Sequence, residues 1–91
     1  MTEDLLTRFL LSVAGNPKIL TSHISLFSAI LCCRKCGKDS FNINRRNLMK
    51  LSKIRSTATY HKCIWDLIEI GFVLYQPSFD PLLGSEMTIL N

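Results

Sequence analysis

Ninety-one residues, 47% hydrophobic and 20% charged, allow one small core and exclude a disordered chain, because two half-length cores could not offset the entropy of ordering their residues. The apolar runs are short, with LLTRFLLSV broken by Thr7 and Arg8, so no membrane span is expected. The net charge of +4 is concentrated: residues 34 to 62 carry nine basic side chains (Arg34, Lys35, Lys38, Arg45, Arg46, Lys50, Lys53, Arg55, Lys62) against Asp39 alone, whereas residues 63 to 91 carry only acidic ones. A basic block of this kind suits a phosphate-bearing surface, since each neutralised phosphate releases condensed counterions. The opening Thr2-Glu3-Asp4 lacks the basic start of a signal peptide, so a cytoplasmic, nucleoid-associated protein is expected.

In chain order, Thr2 is a candidate N-cap, and Leu5, Leu6, Phe9, Leu10 and Val13 recur at helical spacing until Gly15-Asn16-Pro17 stops them. A second helix follows Thr21 or Ser22, with Ile24, Phe27, Ile30 and Leu31 on one face, and ends near Cys36-Gly37. Its apolar stripe is broad, which marks it as the central helix of the core. Phe41-Asn42-Ile43 alternates as a short strand does. Asn44 then caps a short helix, RRNLMKLS, with Leu48 and Leu51 facing inward, and in the turn SKIR the single apolar residue Ile54 plugs the angle between two helices. Ser56 caps the next helix, whose inward face is Tyr60, Cys63 or Ile64, Leu67 and Ile68. Gly71 ends it in a left-handed conformation. Phe72–Tyr75 and Glu86–Leu90 are strand candidates, and Pro77, Asp80, Pro81 and Gly84 supply the turn chemistry of a hairpin between them.

The order is helix, helix, short strand, short helix, helix, strand, turn, strand. It describes one α+β, mainly helical domain over residues 1–91 in the winged-helix layout, with N-terminal helices over 1–40, a helix-turn-helix over 44–70 and a two-stranded wing over 72–90.

The cysteines and histidines give weaker signals. Cys33-Arg34-Lys35-Cys36 is formally a CxxC that Cys63 or His61 could extend toward zinc, but the second pair such sites use is missing. Reduced cysteines serving as small hydrophobes are expected, with no metal or cofactor; a small zinc or redox protein is the remote alternative. No enzyme is expected either: Asp66, Glu69, Asp80 and Glu86 form no evident pair, His23 and His61 lack a nucleophile pattern, and no glycine-rich phosphate loop is present.

The segment LMKLSKIRSTATYHKCIWDLIEIGFV resembles the helix-turn-helix and first wing strand of winged-helix DNA-binding proteins: Leu48, Leu51 and the plug Ile54, the hydroxyl-rich entry Ser56, Thr57 and Thr59, then I-x-x-L-x-x-x-G-F-V from Ile64 to Val73. With its opening LLTRFLLSVAGNPKIL, central STATYHKCI and closing QPS-x-x-P-x-x-GS, nearly the whole chain is similar to small winged helix-turn-helix regulators of conjugative and mobilizable elements of gut anaerobic bacteria. The resemblance implies sequence-specific binding of double-stranded DNA, as a transcriptional regulator or an accessory factor of excision or mobilization type. It allows a homodimer on two half-sites, although no heptad seam is visible, and it implies no small-molecule substrate.

Position along the helix assigns the contacts. Ser56, Thr57, Thr59, His61 and Lys62 lie on its first half and are the candidates for base contact. Arg45, Arg46, Lys50, Lys53 and Arg55 flank the turn and are the phosphate contacts, with Tyr60 counted among them although its spacing points it inward. Trp65 shares a face with Ala58, His61, Lys62 and Glu69 and is the candidate partner interface. That leads to the alternative function, a winged-helix protein-interaction module with no direct DNA binding. The tip SFDPLLGSEM carries no Lys or Arg, unlike a wing that clasps the minor groove.

Overall fold

A computed structural model of the chain describes residues 4–34, 40–76 and 85–90. The described elements run α1 (Leu5–Val13), α2 (Thr21–Cys33), β1 (Ser40–Ile43), α3 (Arg45–Ser52), α4 (Thr57–Glu69), β2 (Val73–Gln76) and β3 (Ser85–Ile89). Four helices and one three-stranded antiparallel sheet make an α+β, mainly helical molecule, and the order of elements is the one the sequence predicts. Thr2 and the hairpin residues Pro77, Asp80, Pro81 and Gly84 lie outside the described residues, as do Lys35, Cys36, Gly37, Lys38 and Asp39.

The buried side chains form one contiguous cluster. Phe9 of α1 stacks on Phe27 of α2 with ring centroids 4.2 Å apart, and Phe72 meets both edge-on at 5.0 and 5.8 Å. This trio joins the first two helices to the exit of α4, and each such ring pair adds about 0.5–1.5 kcal/mol beyond its area. α2 packs against α1, α3 and α4, so its broad apolar stripe does mark the central helix. Leu26, Phe27, Ala29 and Ile30 are buried, and Ile24 and Leu31 are half-buried at the edges of the stripe.

The helix entries differ in detail from the sequence reading. Asp4 caps α1, its carboxylate accepting the Thr7 N–H at 2.7 Å. α2 begins one residue early: Thr21 is already helical and Leu20 holds the cap position. Leucine has no acceptor to give, and the missing cap is half replaced from inside the helix, where His23 Nδ1 accepts the Leu20 N–H at 3.0 Å. Asn44 and Ser56 cap α3 and α4 as expected, through Asn47 N–H at 3.1 Å and Thr59 N–H at 3.2 Å.

α3 and α4 end in the same motif. The Lys53 N–H reaches the Lys50 carbonyl and the Ile54 N–H the Met49 carbonyl; the Gly71 N–H reaches Ile68 and the Phe72 N–H Leu67. Both are Schellman ends, with Lys53 at φ 65° and Gly71 at φ 86° in the left-handed position. In each, the residue after the left-handed one folds back onto the core: Ile54, buried as the expected plug, and Phe72. Leu51 does not face inward; it is 44% exposed. The inward face of α3 is Leu48 and Ser52, one turn apart with Met49 between them, and Leu51 falls to the opposite side of Leu48.

The sheet order is β1-β3-β2. β1, expected as a separate short strand, pairs with β3 and shares its sheet with β2. Phe41, Met87 and Tyr75 align across all three strands on the inner face, while Asn42, Glu86 and Gln76 align on the outer one. Phe72 is not part of β2, because it closes the end of α4 first.

Candidate nucleic-acid interface

α3, the turn and the entry half of α4 are held by their buried sides and leave their basic sides exposed. Leu48, Ser52 and Ile54 anchor the first part, and the Ser25 hydroxyl of α2 donates to the Ser52 carbonyl oxygen, tying the end of α3 to the central helix. Arg45, Arg46, Lys50, Lys53 and Arg55 are all exposed. No Asp or Glu lies in sequence between Asp39 and Asp66, so nothing acidic on α3 or the turn offsets these charges. An isolated surface of this sign attracts polyanions over about 8–10 Å at physiological salt.

On α4, Tyr60, Cys63, Ile64 and Leu67 are buried and Ile68 half-buried, so both Cys63 and Ile64 belong to the inward face. Ser56, Thr57, His61 and Lys62 are exposed, and Thr59 is half-buried. The Ser56 oxygen is engaged in the cap, which leaves its O–H able to donate. Tyr60 is corrected: at 2% exposure it is a core residue and not a phosphate contact. Burial pushes its hydroxyl pKa up to about 12, with Tyr75 nearby raising it further and Arg45 opposing. Trp65 is 64% exposed on the outer face of the same helix.

The exit half of α4 is fastened to the first turn of α2 at two points one turn apart. The Cys63 thiol donates to the Ser22 hydroxyl at 3.5 Å, and His23 Nε2 lies 2.7 Å from Asp66 Oδ2. His23 is 1% exposed, and its Nδ1 already accepts the Leu20 N–H, so the ring carries its proton on Nε2 and donates it to Asp66. Both nitrogens are committed, and this imidazole has no lone pair to offer a nucleophile. Lys62 Nζ donates to the same Asp66 oxygen at 3.1 Å. The His23 hydrogen bond, joined by Lys62, holds the Asp66 carboxyl below its ordinary range.

Sequence reasoning did not single out His23 as structural, nor Asp66 as its partner. Their 43-residue separation hides the pair from any local pattern, and the one available signal was a histidine three residues after an uncapped leucine. Among the cysteines, Cys63 is buried, Cys32 exposed and Cys33 half-buried, all with free thiols. Burial, with Cys32 beside it, pushes the Cys33 thiol up, and Asn47 Nδ2 sits 3.6 Å from its sulfur. Among the described residues no three His, Cys, Asp or Glu gather in a metal-binding group, and no helix is long and apolar enough to cross a membrane. No family model matches the chain, and neither does any curated protein or solved structure.

Proposed function

We propose that the chain binds double-stranded DNA sequence-specifically through a winged helix-turn-helix, with α3 and α4 as its two helices and β2 and β3 as the strands of the wing. The observation that carries the reading is the division of α4: Ser56, Thr57, His61 and Lys62 stand outward on its entry half while Tyr60, Cys63, Ile64 and Leu67 hold it to the core. A helix that enters a major groove needs this separation of faces, and the exposed arginines and lysines of α3 and the turn supply the flanking phosphate contacts. In this reading the protein is a transcriptional regulator or an excision or mobilization accessory factor of a mobile element, as its resemblance implies.

The test is binding to a random-sequence duplex pool followed by a salt series. Arg45→Ala with Arg46→Ala is expected to lower the slope of log K against log salt by about 1.8, from roughly 0.9 per phosphate contact, with the circular dichroism spectrum unchanged. An unchanged slope would remove α3 from the interface.

Trp65 favours a second reading, a protein-interaction module. A large aromatic exposed on the outer face of α4 is the residue type that anchors protein interfaces. Under that reading the chain shows no salt-dependent duplex binding, and Trp65→Ala abolishes capture of the protein partner.

A further inference from the structure

The buried imidazole of His23 stands behind the exposed half of α4, connected to it by one carboxylate. Asp66 Oδ2 accepts from His23 Nε2 at 2.7 Å and from Lys62 Nζ at 3.1 Å. An i,i+4 pair between an exposed lysine and an aspartate contributes little to stability by itself. What distinguishes this one is that the acceptor cannot swing: Asp66 is only 24% exposed and is gripped by a ring that is itself fixed through Nδ1 to the Leu20 backbone. A lysine without such a partner moves as a point charge to the nearest phosphate. Here the ammonium is drawn back along the helix, with one N–H given to Asp66 and two left pointing elsewhere.

Resting on the duplex-binding reading above, we infer that Lys62 is a guanine-reading donor, and that Asp66, fixed by His23, is the residue that positions it. The two remaining ammonium N–H groups match the paired acceptors O6 and N7 that guanine alone presents in the major groove. Asp66 neutralises much of the lysine's long-range charge, so Lys62 governs sequence choice more than salt dependence. The same pairing explains a carboxylate on a groove-facing helix, because Asp66 meets the phosphates already compensated.

The experiment uses the duplexes that the full chain recovers from a random-sequence pool, with each guanine of the selected site replaced in turn by adenine or by 7-deazaguanine, which lacks the N7 acceptor. Binding is followed by fluorescence anisotropy across a salt series. One guanine is expected to be preferred by roughly 5- to 30-fold. Lys62→Ala should abolish that preference and leave the salt slope nearly unchanged. Asp66→Asn keeps an oxygen for the His23 N–H, so the fold is retained; it should abolish the same preference and steepen the slope by about 0.9 as Lys62 becomes available to phosphate. The inference is overturned if Lys62→Ala keeps every guanine preference, or lowers the slope by about 0.9 as loss of a phosphate contact would. It is also overturned if Asp66→Asn matches the wild type in both readouts, or if the selected site contains no guanine. A wild-type chain that recovers no duplex at all overturns the duplex-binding reading, and this inference with it.

Discussion

The ends of α3 and α4 are built on one hydrogen-bonding scheme, yet one uses lysine where the other uses glycine. At α4 the left-handed residue is Gly71, itself exposed, which adopts φ 86° without a side chain to crowd the following carbonyl, while Leu67 before it and Val73 after it are buried and Phe72 packs against the core. At α3 the left-handed residue is Lys53, whose Cβ costs roughly 1–2 kcal/mol in that conformation, and its surroundings are exposed except for Ser52 and Ile54. The first end is made for stability. The second retains strain beside a cluster of exposed charges.

The largest expected difference between the two ends is in side-chain burial. Leu67→Ala should cost about 2–5 kcal/mol of unfolding free energy in urea, whereas Leu51→Ala, in the matching turn of α3, should cost no more than about 0.5. Equal losses would mean that Leu51 is buried after all. Next comes the left-handed position of α4. A Cβ added at Gly71 meets no atom within 4 Å, so Gly71→Ala should lose only the conformational term, about 1–2 kcal/mol, read from the same urea midpoints. The smallest change has the opposite sign. Lys53→Gly relieves the strain but loosens the unfolded chain, and a net gain of about 0.5–1 kcal/mol is expected, a melting temperature higher by several degrees. The same variant should bind duplex DNA less tightly at low salt. A Lys53→Gly chain that is less stable than wild type would show that the left-handed lysine carries no strain.

This contrast also separates what the sequence discloses from what it conceals. The bounds of α3 were legible to the residue, because the Asn44 cap and the inward Leu48 are local signals, and Gly71 named its own conformation. Lys53 was not legible, since nothing in a lysine announces positive φ. Leu51 failed for a related reason. Composition could not say that a serine, Ser52, holds the inward position one turn after Leu48, where the Ser25 hydroxyl makes its carbonyl worth burying. Tyr60 was placed inward by its spacing and outward by its hydroxyl, and the spacing decided. The His23–Asp66 pair depends on how α2 and α4 cross, which only the assembled core determines.

The strand order has a consequence for how the molecule is made. β3 lies between β1 and β2, so neither outer strand has a partner until β3 is in place, and the hydroxyls of Ser40 and Thr88 that meet at 2.8 Å are 48 residues apart. A ribosome delivers all four helices, with their charged surface, before the strand that completes the sheet. Contacts this distant in sequence cost more closure entropy than local ones and tend to slow folding, and the helices between them shorten the span to be closed. In synthesis, therefore, the helices of the proposed interface are delivered while β1 and β2 are still two separate edges, and β3 is the keystone that joins them last.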